Sequence, residues 1–164
     1  MGFFYFTLIL AVILCSLVAG FLFAFAVVVM PGIKILNDRE FIRAFQVMDG
    51  VIQNNQPVFI SVWVGSIVVL IISAALGFGQ LHGFELFFLL IAVLTYLIGV
   101  QLPTFIVNVP LNNKLKVLDV STMEDAELKT ARNDFEHFWN RWNDIRTVLS
   151  CLTTILLLIL LLKL

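Results

Sequence analysis

Four apolar stretches of membrane-crossing length dominate the sequence, and two polar segments separate them into a regular order. The stretches run from about residue 3 to 30, 57 to 80, 84 to 108 and 145 to 162, each close to the roughly 20 residues a spanning helix needs. Pro31-Gly32 is a stop signal for the first. His82-Gly83 leaves only a tight turn between the second and third, so those two helices are expected to be antiparallel neighbours. Counting crossings puts both polar segments, 34–56 and 110–144, on one face of the bilayer and both termini on the other.

The polar segments carry their own helical periodicity. Phe41, Ile42, Phe45, Met48 and Ile52 recur on one side of a helix, as expected of an amphipathic segment lying on the bundle end. Ser121 followed by Glu124 reads as a capping box. It would start a helix with no Pro or Gly between Met123 and Leu162, long enough to outrun the bilayer. Ser16, Gly20 and Ala24, and likewise Ser61 and Gly65, recur every fourth residue and are expected to mark helix contacts. Pro110 should bias Val109 out of the helical region and end the third span. The expected fold is therefore all-α: a membrane four-helix bundle with amphipathic helical segments at one end, spanning residues 1–164 as a single domain.

Composition agrees with lipid as the solvent. Hydrophobic residues make up 61% and charged residues 13%, against about 45–50% and 25% in soluble domains. A net charge of −1 gives no reason to expect nucleic acid. Charge placement says more: nine of the ten Lys and Arg residues fall on the face of the polar segments, and Lys163 falls on the other. The positive-inside rule makes the charged face cytoplasmic and leaves both termini outside. The first stretch lacks a basic leader and is too long for a secretion signal, so it is read as a retained span. Cys15 and Cys151 lie in apolar runs and read as packing residues.

Candidate chemistry concentrates at the charged face. On a helix, Phe135, Trp139, Trp142 and Arg146 share one side, Ser150 and Thr153 extend it into the membrane, and Asn143 flanks it. His137, Arg141 and Asp144 fall on the opposite side. Arg146 at the entrance of the fourth span is either a functional group or an arginine snorkelling to phosphates. Trp139 and Trp142 are either site walls or interfacial anchors. Asn108 and Asn112 either satisfy the end of the third span or line a polar pocket at the same depth. The turn Gln53-Asn54-Asn55-Gln56-Pro57 reads first as a helix-entry loop. His82 and His137 lie on opposite faces, and no ligand spacing for a metal, Gly-rich phosphate loop or nucleophile elbow occurs. No metal and no cofactor are expected.

Taken together, the run Gly20 to Pro31, Phe45-Gln46, Gln56-Pro57, the box Asn108-Val109-Pro110-Leu111-Asn112 and the terminal Trp139, Trp142-Asn143 and Arg146-Thr147 resemble the anthrone oxygenase-like family of small four-span membrane proteins. That family often has Ile-Asn where this chain has Met48-Asp49, and Asn-Pro where it has Gln56-Pro57. The resemblance implies oxidation of an anthrone to an anthraquinone by dioxygen without a cofactor. Arg146, Asn108 and Asn143 would then stabilise the oxyanion, and Trp139, Trp142, Asn112 and Gln46 would hold the rings. Asp49 is a conceivable base; His137 faces away. The leading expectation is a membrane-embedded oxygenase-like protein acting on a flat lipophilic aromatic. The rivals are a non-enzymatic carrier of a lipophilic molecule such as a quinone, and a structural membrane subunit. The bilayer is the expected partner, and a homo-oligomer is left open.

Overall fold

The structure, a computed structural model, describes residues 2–164. Five helices account for nearly all of it: α1 (Gly2–Ile33), α2 (Asp38–Gln53), α3 (Pro57–Phe78), α4 (Gly83–Lys116) and α5 (Asp125–Lys163). Four of them, all but α2, are long and apolar enough to cross a membrane, so the chain is an all-α, multi-pass membrane bundle. Tyr5 Oη donates to the Leu164 carbonyl at 2.7 Å, which sets the two ends of the chain side by side, away from the polar segments.

Around the bundle, α1 packs closely on α3 and α5, and α4 packs closely on α5. The fourth pairing is looser. α3 meets α4 along Gly83–Tyr96, next to their shared turn, and separates from the later half of α4. Gly83 makes that turn with φ of 56°, which a residue with a side chain rarely adopts. Close approach elsewhere depends on Gly99, where an added Cβ would sit 2.5 Å from Leu149 Cδ1. The stripe Ser16, Gly20 and Ala24, expected at a contact, instead faces outward. The buried face of α1 is Phe4, Leu8, Ala11, Cys15, Val18 and Leu22, about one helical turn apart along its length. In a helix made almost wholly of apolar residues, small size alone does not choose the side.

Two apolar cores result. One runs through the membrane from Phe4 to Leu160; the other, at the polar end, joins α2, the end of α4 and the start of α5 through Phe41, Ile42, Phe45, Leu115, Leu128 and Phe135. Phe41 and Ile42 are wholly buried. At about 1.5–3 kcal/mol for each such side chain, this stripe accounts for α2 lying against the bundle. Asn37 caps α2 by accepting from the Glu40 N–H at 2.9 Å.

α5 is continuous over 39 residues, about 58 Å, nearly twice the hydrocarbon thickness. Its capping box lies three residues later than expected: the Glu127 carboxylate accepts from the Glu124 N–H at 2.9 Å, and Glu124 caps in return. Ser121 is occupied instead with Asp119 in the preceding turn.

The third span also departs from expectation. Pro110 does not end it; Val109 keeps helical dihedrals of −62° and −45°, and α4 runs on to Lys116. A π-helical turn, Thr104–Asn108, precedes the proline and sends the Val109 N–H back to the Thr104 carbonyl. The wider turn moves aside the carbonyl that a proline ring would strike in an α-helix.

Candidate functional site

Between the two cores, on the side where α3 and α4 diverge, lies a cavity of about 350 Å³. Its volume is at the lower end of small-molecule sites. Residues of all five helices reach it.

Two sets of rings wall it. Phe59 and Trp63 on α3 stack at 5.3 Å, with Phe21 edge-on to Phe59 at 5.1 Å. Trp139 on α5 packs against Phe25 at 5.7 Å and edge-on to Phe45 at 5.4 Å. Phe21 and Phe25, 4.9 Å apart on successive turns of α1, connect the sets. At the margin, Trp63 Nε1 donates to Gln101 Oε1 at 2.9 Å and ties α3 to α4.

Arg146 is the cation of the site, and it is 3% exposed. Its two terminal nitrogens donate to Thr104 Oγ1 and Asn143 Oδ1, both at 3.0 Å. Its guanidinium lies 5.9 Å from the Trp139 ring centre. None of the ion pairs among the described residues includes it. Arg146 Nε has no hydrogen-bond partner. Asn143 Nδ2 donates to the Leu22 carbonyl at 3.1 Å, which locks the amide oxygen toward the arginine. Arg146 is 17 positions before Lys163. At about 1.5 Å per residue it sits near the polar edge of a hydrocarbon layer roughly 30 Å thick.

Asn108 donates from Nδ2 to the Trp139 carbonyl at 3.3 Å, while its Oδ1 is buried and unpartnered. Two residues of the cavity lining thus each keep a buried atom without a partner, the donor Arg146 Nε and the acceptor Asn108 Oδ1. Buried polar groups rarely go unsatisfied, and those that do call for an explanation.

A second polar cluster lies where α2 meets the cavity. Trp139 Nε1 donates to Asn112 Oδ1 at 2.8 Å, and Asn112 Nδ2 donates to Asp49 Oδ1 at 2.8 Å. Gln53 Nε2 donates to Asp49 Oδ2. Lys116 Nζ donates to Gln53 Oε1 at 2.6 Å. Burial pushes the Asp49 carboxyl above the usual carboxylate range, against the hydrogen bonds from Gln53 and Asn112 and the nearby Lys116 charge.

Five of the seven residues singled out in the sequence line this cavity: Arg146, Asn108, Asn143, Trp139 and Asn112. Trp142 and Gln46 do not. At about 100° per residue, Trp142 projects roughly 60° from Trp139, away from the side on which Asn143 projects. Gln46 donates to the Leu115 and Leu118 carbonyls at 2.8 and 2.9 Å and so caps the end of α4. Gln56 caps α3 by accepting from the Phe59 N–H at 2.5 Å, as a helix-entry loop requires. Sequence reasoning missed Phe21, Phe25, Phe59, Trp63 and Thr104 as lining residues. In spans this rich in phenylalanine, a ring toward a cavity and a ring toward lipid leave the same trace. Trp63 opposite Gln101 was the one legible signal: an indole and an amide, both inside apolar spans.

A family model described as anthrone oxygenase matches residues 53–156, almost two thirds of the chain. Searches of curated proteins and of solved structures give no match. The matched segment takes in α3, α4 and most of α5, and with them Trp63, Asn108, Trp139, Asn143 and Arg146. The chain belongs to the anthrone oxygenase family.

Proposed function

We propose that the cavity binds a flat, lipophilic phenolic carbon acid of the anthrone type, as its anion, and that the protein promotes its oxidation by dioxygen. The observation that carries this reading is Arg146: a buried residue of the aromatic cavity lining, with no carboxylate partner among the described residues and with its Nε–H unpaired. A charge held out of water is costly unless it is paired, so a bound oxyanion would supply the missing partner. Asn108 Oδ1 would accept from a neighbouring phenol, and the two ring walls would sandwich the tricycle.

The chemistry asks little of the protein. Removing a proton from the ring methylene leaves an electron-rich carbanion that can itself reduce dioxygen. Preorganised donors at the developing oxyanion lower the barrier to that ionisation. Both reactants favour hydrocarbon over water, and the site is near the edge of the bilayer. The excess of Lys and Arg at the polar end supports placing that end, and the mouth of the cavity, in the cytoplasm with both termini outside.

Dioxygen uptake by purified protein supplied with anthrone tests the proposal. Uptake above the uncatalysed rate, lost in the double variant Arg146→Ala with Asn108→Ala, is the expected result. Uptake unchanged in that variant would refute it. A ligand that co-purifies and is released unaltered, with no oxygen consumed, would favour a carrier instead.

A further inference from the structure

Ionising a carbon acid needs a proton acceptor at the cavity, and the lining offers one. Among its residues there is no histidine and no glutamate, and Asp49 is the one carboxylate. We propose that Asp49 is the general base of this reaction; the assignment rests on the function proposed above.

The carboxylate is positioned from both sides. Asn112 donates to Oδ1 at 2.8 Å and Gln53 to Oδ2. Each amide is itself anchored, Asn112 by the Trp139 indole N–H at 2.8 Å and Gln53 by Lys116 Nζ at 2.6 Å. A carboxylate has about four acceptor sites, so two amide donors leave lone pairs for a substrate proton. Asp49 is 7% exposed. Its raised pKa makes it a better base than a carboxylate in water. Two further features agree with this role. The fork that fixes Asp49 includes Trp139, whose ring walls the substrate space, so base and ring share one frame. Asp49 also stands on the amphipathic α2, whose Phe45, Ile52 and Gln53 line the same cavity.

The step balances without an added reductant. Asp49 takes a proton from the methylene between the two aryl rings. The C–H electron pair moves to the carbonyl oxygen, where Arg146 holds the resulting oxyanion. The carbanion transfers one electron to dioxygen, and the carbon radical and superoxide combine to form a C–O bond. Asp49 returns its proton to the peroxide. Loss of the second C–H proton breaks the O–O bond, giving the ketone and hydroxide, which is protonated to water. One oxygen atom ends in the product and one in water, and the four electrons lost by carbon reduce dioxygen fully.

Proton removal is measured apart from oxygenation by incubating anthrone with protein in D₂O under argon and following deuterium at the methylene by NMR. Asp49→Asn is expected to slow enzyme-dependent exchange by about 100-fold or more, the usual scale of general-base catalysis. Binding of 1,8-dihydroxyanthraquinone, which has no proton to lose at that carbon, should change by no more than about threefold. Exchange in Asp49→Asn within about threefold of wild type, with binding intact, would overturn the assignment. Asparagine sets an N–H against Gln53 Nε2 and could upset the fold, so Asp49→Ala with added formate provides a second route. Restoration of exchange in proportion to formate supports a carboxylate base, and no restoration in a variant that still binds the quinone overturns it. Wild-type protein that neither binds the quinone nor consumes oxygen would refute the proposed function itself. Wild-type activity with Asp49→Asn exchange unaltered refutes only the base.

Discussion

Replacing Arg146 with methionine separates a structural role from a binding role, because the two predict opposite outcomes. The substitution keeps most of the apolar stem and removes the charge. It costs two charge-assisted hydrogen bonds, to Thr104 and Asn143, at about 1.5–3 kcal/mol each. It also strands the Asn143 amide oxygen in a residue 1% exposed, at about 1–3 kcal/mol. Thr104 loses little, since its hydroxyl still donates to the Val100 carbonyl at 2.7 Å. Against this, a charge without a counter-ion no longer has to be held out of water, a relief on the order of several kcal/mol. The two sides nearly cancel, so the melting temperature of the ligand-free protein should move by less than about 10 °C, at roughly 2–4 °C per kcal/mol for a chain of this size. Anion binding has no such compensation. Losing the cationic partner of a buried oxyanion costs about 2–5 kcal/mol, which is about 30-fold to 5,000-fold in affinity at 1.36 kcal/mol per tenfold. The assay is an absorbance titration of 1,8-dihydroxyanthraquinone, whose visible band shifts to the red when the phenol ionises. Wild-type protein should lower the pH at which the bound dye ionises, and Arg146→Met should not. A variant that binds the anion as tightly as wild type, or that loses its fold outright, would show that Arg146 serves packing and not a ligand.

Four further outcomes are expected. The turnover rate should rise with pH through the pKa of Asp49, which burial sets above the ordinary 3.8, and level off beyond it; Lys116→Met removes a charge that draws this pKa down and should move the limb to higher pH. The sign for stability is opposite: the raised pKa contributes stability below the ordinary value that is lost as pH rises through the folded one, so melting of wild type relative to Asp49→Asn should decline over that interval. Gly99→Val should destabilise by about 1–3 kcal/mol in a detergent melt, because even its Cβ would stand 2.5 Å from Leu149 Cδ1. Sidedness is checked with single cysteines and a membrane-impermeant maleimide on intact cells: Lys163→Cys should label and Ser121→Cys should not.

Periodicity and length made the bundle legible. Four spans, the amphipathic α2 and the long α5 follow from where apolar residues stop and how polar ones repeat, since a helix in lipid must satisfy its own backbone. Which side of each span faces inward was far less legible. The outward Ser16, Gly20 and Ala24 show the reason: with lipid and protein equally apolar, polarity sets no side of α1 apart and only a fitted neighbour selects a face. Polar residues inside the spans were better guides. Asn108, Asn143 and Arg146 are costly in hydrocarbon, so each had to turn toward the others or toward a ligand, and all three line the cavity. Trp142 lies outside the lining because a shared helix side is too coarse a guide, and Gln46, named on the resemblance, is taken up by the carbonyls at the end of α4. Trp142 stands about 60° around the helix from Trp139, and of the two only Trp139 lines the cavity.

The prolines tie the fold to the site. Pro31, Pro103 and Pro110 each stand two residues after a π-helical turn, Phe25–Val29, Leu97–Gln101 and Thr104–Asn108. In each, the residue just before the proline, Met30, Leu102 or Val109, donates its N–H to the carbonyl five positions back and keeps helical dihedrals. A proline in a regular helix would strike the preceding turn and leave a carbonyl unpaired in lipid, where no water can satisfy it. The wide turn absorbs the ring, and it also shifts the side-chain register, carrying residues toward the bundle axis that an unbroken α-helix would aim elsewhere. Phe25, Thr104, Phe105 and Asn108 all sit on these turns and all line the cavity, and Gln101 on the remaining turn holds Trp63 at its edge. Pro31 and Pro110, which looked like the ends of spans, are therefore better understood, with Pro103, as the means by which straight membrane helices are widened beside a ligand-sized space.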